Sequence, residues 1–393
     1  MQFINATLYL QDRVVPKGFV IVENGIITAA GDMQDQTFDK SAVDLSGYIL
    51  APGFIDQHVH GAGGADVMDA SPEALDTIAR HLAQEGTTSF LATTLTMSTA
   101  KIHQALQAVA DYKKNPPKNQ GAEILGVHLE GPFINTAYKG AQNEQYIVAP
   151  DKQLFESFQK SAGNSIKLIS YAIEKDPEQI FLGHLRQAGV VASCGHSGAT
   201  FEDVERCTPL GLKSLTHFHN AMSGHHHRNP GAVTAGFCLP ALMTEVIADG
   251  LHLHPAVLRM VYQIKGKDSV ILITDAVRAK GLPDGNYELS RQQIIKTDNA
   301  CRLVSGTLAG SVLTMDHAVR NMVKYSGCSL YEAVQMASLN PARLLGIDDQ
   351  KGSIAPNKDA DLVVLSQDGD LQMTIAGGQM IKYRRSLATS IGK

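Results

Sequence analysis

Residues 52–60 read Pro52-Gly53-Phe54-Ile55-Asp56-Gln57-His58-Val59-His60. Turn residues lead into a short apolar run that finishes on two imidazoles at i and i+2, which a strand projects to the same side. The pattern returns along the chain. Eight runs read as strands: Gly53–His60, Thr88–Leu95, Ile124–Leu129, Ile166–Ala172, Val190–His196, Ser214–His219, Thr244–Asp249 and Val270–Asp275. Between them lie stretches whose apolar residues keep helical spacing. In residues 71–86, Ser71 suits an N-cap, Pro72 the first helical position and Gly86 a C-cap, while Leu75, Ile78, Ala79 and Leu82 share one face. Two more helices, over 314–327 and 329–346, follow the eighth strand. Eight strand–helix units in about 290 residues predict a (β/α)8 TIM-like barrel, with a doubly wound open sheet as the competitor.

The residues at the strand ends separate the two. In order they are His58 and His60, His128 and Glu130, His196, His217 and His219, Asp249 followed by His252, and Asp275. A closed barrel gathers all of these on one rim, where barrel enzymes place their chemistry, whereas an open sheet would hold its first and eighth strands apart. Outside the barrel both termini read as β. Asn24-Gly25 between apolar runs in residues 18–32 is a strong hairpin signal, and residues Asp361–Leu365, Met373–Ile375 and Gln379–Tyr383 read as further strands. Neither end alone has strands enough for a stable sheet. The expected organisation is therefore a small β-sandwich domain from residues 1–51 and 352–393, and the barrel over residues 52–351.

Composition narrows the function. The 393 residues are 44% hydrophobic and 19% charged, with formal net charge −5, which disfavours a nucleic-acid binder. No apolar run approaches the ~18 residues that span a membrane. The five cysteines, Cys194, Cys207, Cys238, Cys301 and Cys328, are scattered with no CxxC, and the first residues lack a secretory signal. A reducing cytoplasm is the expected setting. Imidazoles and carboxylates at successive strand ends form a ligand set for Zn²⁺ and similar ions, and their spread over distant strands suits a catalytic centre with an open position. Gly61, Gly63 and Gly64 fit neither a dinucleotide nor a P-loop pattern, and Gly195-His196-Ser197-Gly198 is not a nucleophile elbow. His81, His103, His184 and His317 fall in helices as structural residues. His225–His227 read as exposed loop, and Lys382, Arg384 and Arg385 as a solvated edge.

The chain resembles the amidohydrolase superfamily and, within it, the N-acetylglucosamine-6-phosphate deacetylase branch. The likeness rests on Pro52–Asp56 with His58-Val59-His60-Gly61, His128-Leu129-Glu130-Gly131-Pro132-Phe133, Gly195–Thr200, Thr216–Met222, Ile247–His252, Thr274-Asp275-Ala276, Leu308–Ser311 and Asn340–Arg343. It covers nearly the whole chain. The resemblance implies that Glu130, His196 and His217 hold the main divalent metal ion. Zinc is the first expectation, with iron, manganese and cobalt as alternatives. His58 and His60, which vary in the family, would hold a second ion bridged by Glu130, so one or two per subunit are expected. Asp275 would take a proton from water activated at the metal and return it to the departing amine, and His252 would polarise the acetyl carbonyl.

The resemblance also implies a set of substrate contacts. Arg228, with the backbone of Asn220 and Ala221, would bind the phosphate, and in the family this Arg can reach the neighbouring subunit's site, which requires a homodimer. Ala141 and Gln142, Asp249 with His252, and Leu308, Ala309 and Gly310 match further substrate-contacting segments. Ala309 departs from a common Ser. The expected reaction releases acetate from N-acetyl-D-glucosamine 6-phosphate. A galactosamine epimer, a cyclic amide or a deamination substrate is the alternative. A non-catalytic sugar-phosphate sensor is remote, because it would not need Asp275.

Overall fold

The computed structural model describes residues 1–34, 37–116 and 121–383. Arg384 and Arg385 lie outside them. The chain opens with β1 (Gln2–Tyr9), β2 (Val14–Glu23), β3 (Ile26–Asp32), the short β4 (Val43–Asp44) and β5 (Ile49–Pro52). Asn24 and Gly25 turn the β2–β3 hairpin with φ of +52° and +81°, the left-handed pair that a two-residue turn requires. Next come β6 (Phe54–Val59), a two-residue hairpin of β7 (Gly61–Ala62) and β8 (Ala65–Asp66), and α1 (Pro72–Ala83). Alternation then sets in, through β9 (Thr87–Thr93), α2 (Thr99–Lys114), β10 (Glu123–Glu130), α3 (Lys152–Ser161), β11 (Ile166–Tyr171) and α4 (Ile180–Gln187). It continues through β12 (Val191–Cys194), α5 (Phe201–Cys207), β13 (Leu212–Leu215), α6 (Ala232–Cys238), β14 (Met243–Ile247), α7 (Pro255–Lys265) and β15 (Val270–Ile273).

The parallel ladder runs β6-β9-β10-β11-β12-β13-β14-β15. It returns to its start where the Asp275 N–H donates to the His58 carbonyl at 2.8 Å and Val59 bridges Ala276. That seam makes the sheet a barrel and removes the open-sheet alternative. Beneath the rim the interior is polar, unlike the branched aliphatic layers common in such barrels. His128 Nε2 meets Ser170 Oγ at 2.7 Å, Ser170 meets Thr216 at 2.6 Å, and Thr216 meets Ser193 at 2.7 Å.

Three local readings change. The α1 N-cap is Ser71, whose Oγ accepts from the Ala74 N–H at 3.2 Å, but the helix ends at Gln84. Gly86 instead turns the chain into β9 at φ +90°, where a Cβ would meet the Phe54 ring at 2.8 Å. The single helix expected over 329–346 is two, α9 (Leu330–Ala337) and α10 (Leu339–Leu345), after α8 (Met315–Ser326). Pro341 accounts for the break, because its ring is tolerated only in a first helical turn. Between β15 and α8 the chain also inserts an antiparallel meander of β16 (Gly285–Leu289), β17 (Gln292–Thr297), β18 (Ala300–Leu303) and β19 (Leu308–Ser311). The β16–β17 turn is Ser290-Arg291, with φ of +50° and +63° and no Asn or Gly to announce it.

The last strands are β20 (Leu362–Leu365), β21 (Leu371–Ala376) and β22 (Gln379–Tyr383). They join the first ones in one eight-stranded sheet, through the β5–β20 pair in which Leu50 faces Val364. Alternate residues serve two cores. Leu50, Leu362 and Val364 pack with Phe3, Val20 and Ile27 in a core of the sheet's own. Ile49, Ala51, Val363 and Leu365 pack into the core shared with the barrel.

Lys351 ties this sheet to the barrel floor. Its Nζ lies 2.8 Å from Glu123 at the start of β10, 2.7 Å from Asp359 and 2.8 Å from Asp361. Burial would lower the lysine's pKa, but the surrounding carboxylates raise it. Replacing Lys351 with Met should cost about 3–5 kcal/mol, because buried Asp361 loses its counter-charge. Urea unfolding would show this as a lowered midpoint.

Candidate active site

Six side chains converge at the barrel rim, and their backbone explains how. β12, β13 and β15 stop two residues or fewer before His196, His217 and Asp275. Those three residues take φ of +48°, +30° and +49°. Left-handed backbone at a non-glycine residue ends the ladder and costs about 1–3 kcal/mol each, a strain typical of functional sites. The residues read as the last of their strands thus lie just past them, aimed across the barrel mouth. His58 lies inside β6, and His60 just beyond it projects to the same side.

Glu130, at the end of β10, is the centre. Its Oε1 lies 3.3 Å from His196 Nε2, 3.2 Å from His217 Nε2 and 3.3 Å from His58 Nε2, and its Oε2 lies 3.3 Å from His60 Nε2. Asp275 Oδ1 is 3.5 Å from His58 Nε2 and 3.2 Å from His60 Nε2. The atoms fall into two groups, Glu130–His196–His217 and His58–His60–Asp275. Each ring presents Nε2 to the centre because its Nδ1 is committed elsewhere. His196 Nδ1 donates to the Tyr138 carbonyl at 2.8 Å, His217 Nδ1 to the Asn220 carbonyl at 3.1 Å, and His60 Nδ1 to the Thr93 carbonyl at 3.2 Å. His58 Nδ1 donates to Glu245 Oε2 at 3.2 Å.

This donor set fits divalent cations. His196 Nε2 and His217 Nε2 stand 3.1 Å apart, each with its proton on the other nitrogen, so neither can donate to its neighbour. A tetrahedral ion with bonds of about 2.0–2.1 Å sets its ligands about 3.3–3.4 Å apart, close to the spacings seen. His58 Nε2 is buried without a hydrogen-bond partner. The rings' outer hydrogen bonds are those that metal-ligating histidines make. Electrostatics agree. Burial opposes charge on His58 and His60, yet Glu130 and Asp275 raise both rings above the usual imidazole value, His60 to about 9. Burial would raise Glu130 and Asp275 in turn, but the imidazoles hold both below the usual carboxylate range.

Above the centre opens a cavity of about 210 Å³. Its wall includes His60, Glu130, His196, His217, Asp275, His252, Ala141, Gln142, Asn220, Ala221, Leu308 and Gly310, all singled out by the sequence. His252 Nδ1 donates to Asp249 Oδ2 at 2.7 Å, leaving Nε2 for the cavity. Burial lowers the His252 pKa, but Asp249 more than compensates and raises it.

Several expected residues stand differently. His58 lies beneath the wall, and Asp249 behind His252. Ala309 alternates away from the cavity into the core and is fully buried. Arg228 sits on the exposed loop before α6 and does not line its own chain's cavity. Gln142 spends its amide on the protein: Nε2 donates to Glu130 Oε2 at 2.6 Å, and Oε1 accepts the Thr96 N–H at 2.7 Å. The Asn220 N–H is used by the His217 carbonyl at 2.8 Å, whereas the Ala221 N–H makes no hydrogen bond among the described residues. His128 and His219 stay outside both groups, and burial lowers their pKa, that of His219 to about 4.

The sequence reading missed several contributors. Leu95, Gly140 and Val277 line the cavity, as do Leu289 and Thr307 from the inserted meander. Glu245, fully buried in β14, was legible as a carboxylate in the middle of an apolar strand, where an unpaired charge is costly.

Known proteins resemble this chain over most of its length. The amidohydrolase family model matches residues 49–381. N-acetylglucosamine-6-phosphate deacetylase from Bacillus subtilis (strain 168) is 39% identical over 372 residues, 94% of each chain. N-acetylgalactosamine-6-phosphate deacetylase from Escherichia coli O157:H7 is 36% identical over 362 residues, 92% of this chain and 94% of that one. A mutant N-acetyl-D-glucosamine-6-phosphate deacetylase from Mycobacterium smegmatis, solved in complex with N-acetyl-D-glucosamine-6-phosphate, superposes with a TM-score of 0.91 at 28% identity, covering 97% of this chain and 99% of that one.

The cavity wall itself can be tested at Gly310. Its φ is +61°, and a Cβ there would meet Val277 Cγ1 at 2.4 Å and the Asp275 carbonyl at 3.0 Å. Gly310→Ala should cost about 1–3 kcal/mol. A thermal unfolding midpoint equal to the parent's would count against this packing.

Proposed function

The chain belongs to the amidohydrolase family, and on that premise we propose that it hydrolyses the acetamido group of N-acetyl-D-glucosamine 6-phosphate to D-glucosamine 6-phosphate and acetate. One observation carries the reading: four Nε2 atoms, their tautomers fixed from outside, converge on two buried carboxylates beneath an open cavity. The names of the B. subtilis and M. smegmatis proteins, and the sugar phosphate held by the latter, support the substrate. The E. coli relative makes the galactosamine epimer the second reading.

In this reading Glu130, His196 and His217 would hold one divalent cation, and His58 and His60 with Asp275 a second. Zinc is the first candidate, and iron, manganese and cobalt suit the same donors. A cation there supplies Lewis acidity toward the amide carbonyl and brings the pKa of water down toward ~7.

The rest of the chemistry belongs to the chain. Asp275, held ionised beside His58 and His60, accepts a proton from the attacking water and delivers it to the amine nitrogen as the C–N bond breaks. His252, its Nδ1–H given to Asp249, turns Nε2 to the cavity and in its protonated form donates to the acetyl oxygen as negative charge builds there. Gln142 keeps Glu130 in place rather than contacting the sugar, and Leu308 and Gly310 shape the acetyl pocket. The phosphate is met by the Ala221 N–H and by Arg228 of the partner subunit in a homodimer, which accounts for an Arg that lies outside its own cavity. The five cysteines are unpaired, consistent with the cytoplasm as the site of reaction.

Acetate release tests the whole reading. Cation-loaded protein should turn over the phosphorylated sugar well ahead of the unphosphorylated one, and a chelator should abolish activity that added cation restores. Faster turnover of the galactosamine epimer would move the proposal to that substrate. Asp275→Asn should lose about 10²–10⁴-fold in kcat, and near-normal turnover would remove Asp275 from the chemistry. Arg228→Ala should raise KM roughly tenfold or more by deleting a charge-assisted contact. An unchanged KM would put the phosphate elsewhere.

A further inference from the structure

Glu245 lies in the middle of β14, in the barrel interior, with no solvent exposure. Burying a carboxylate there is costly unless donors surround it. Three do. Gln57 Nε2 donates to Oε1 at 2.6 Å, and His58 Nδ1 and the His217 N–H each reach Oε2 at 3.2 Å. With Gln57 Nε2 donating to Oε1 and the His217 N–H to Oε2, the carboxylate acts as an acceptor, so His58 Nδ1 carries a proton and, in the neutral ring that binds a cation, Nε2 offers its lone pair. Of the four converging imidazoles, three are fixed by backbone carbonyls. His58 alone is fixed by a charged side chain. It is also the deepest, and its Nε2 faces Glu130 and Asp275 with no hydrogen-bond partner.

We propose that Glu245 is a positioning residue which locks His58 in the Nδ1–H tautomer and thereby decides whether the His58–His60–Asp275 group can take up a divalent cation. The inference rests on the reading that this group is a cation site. With the opposite tautomer, an N–H would point between Glu130 and Asp275, and His58 would have no lone pair to offer. The charge of Glu245 adds basicity to the ring, which a backbone carbonyl does not. The Glu130–His196–His217 group keeps its own ring anchors at Tyr138 and Asn220 and depends on Glu245 only through the His217 N–H.

The surroundings permit a clean test. Gln57 Oε1 is buried without a partner. In Glu245→Gln the new amide can therefore keep its oxygen toward His58 and the His217 N–H and give its NH2 to a turned Gln57. That substitution removes the charge and spares the shape. Glu245→Leu removes both. Cobalt(II) titration of the metal-stripped chain, read by visible absorption and by metal analysis after desalting, counts equivalents and their affinities. The parent should take up two equivalents per chain. Glu245→Gln should hold the first with affinity within a few-fold of the parent and the second about 10–100-fold more weakly. Glu245→Leu should hold only the first; if it does not fold, Glu245→Gln carries the test alone. A second equivalent bound by Glu245→Gln as tightly as by the parent overturns the role of Glu245. A parent that binds one equivalent overturns it too, while leaving the proposed hydrolysis standing. A parent that binds none overturns both.

Discussion

One buried carboxylate organises this protein. Glu130 is almost fully buried, and its two oxygens meet four imidazoles from β6 and from the ends of β12 and β13. Such a group is affordable in a barrel only if every neighbour is a donor or a cation. Gln142 donates to its free side, and the rings are turned toward it by bonds made behind them. The arrangement also needs the barrel to close. Three hydrogen bonds join the last strand to the first, from the Asp275 N–H to the His58 carbonyl and from the His60 and Gly61 N–H groups to the Ala276 carbonyl, so the seam runs through His58, His60 and Asp275 of the site.

The polar interior below follows from that demand. His128, Ser170, Thr216 and Ser193 form a hydrogen-bonded chain where aliphatic side chains would ordinarily pack, and Gln57 and Glu245 stand under His58. The His128–Ser170–Thr216–Ser193 chain holds these side chains in fixed relation to one another. It supports three residues in left-handed backbone at the rim, a strain that a softer core would release. Stability is supplied elsewhere, by the large apolar core between barrel strands and helices and by the Lys351 ion cluster under the terminal sheet.

The parts that sequence left unread have definite causes. The meander over 285–311 hid because its first turn, Ser290-Arg291, takes the left-handed conformation without glycine or asparagine, and its strands mix polar and apolar residues at a half-exposed surface. Glu245 stands out as an acid in an apolar strand, but a single acid carries no spacing pattern that names its partners. At Ala309 the sequence suggested a backbone contact, and only the fold shows that strand alternation turns its methyl into the core while Leu308 and Gly310 face the cavity. Gln142 lines the cavity as expected, but only the fold shows that its amide also meets Glu130 and the Thr96 N–H.

By itself the sequence determined the barrel, the residues at its strand ends and the chemistry they suit. Those features are written in local periodicity, with apolar runs of strand length, helical spacing between them, and histidine or acid at the ends of six of the eight runs. Tertiary structure alone decided which nitrogen of each imidazole faces inward, which donors are already spent, and that Arg228 lies outside its own chain's cavity. These depend on contacts between residues as far apart as His58 and Glu245 or Glu130 and His217. No local pattern encodes such pairs, because they come together only once the eighth strand has closed on the first.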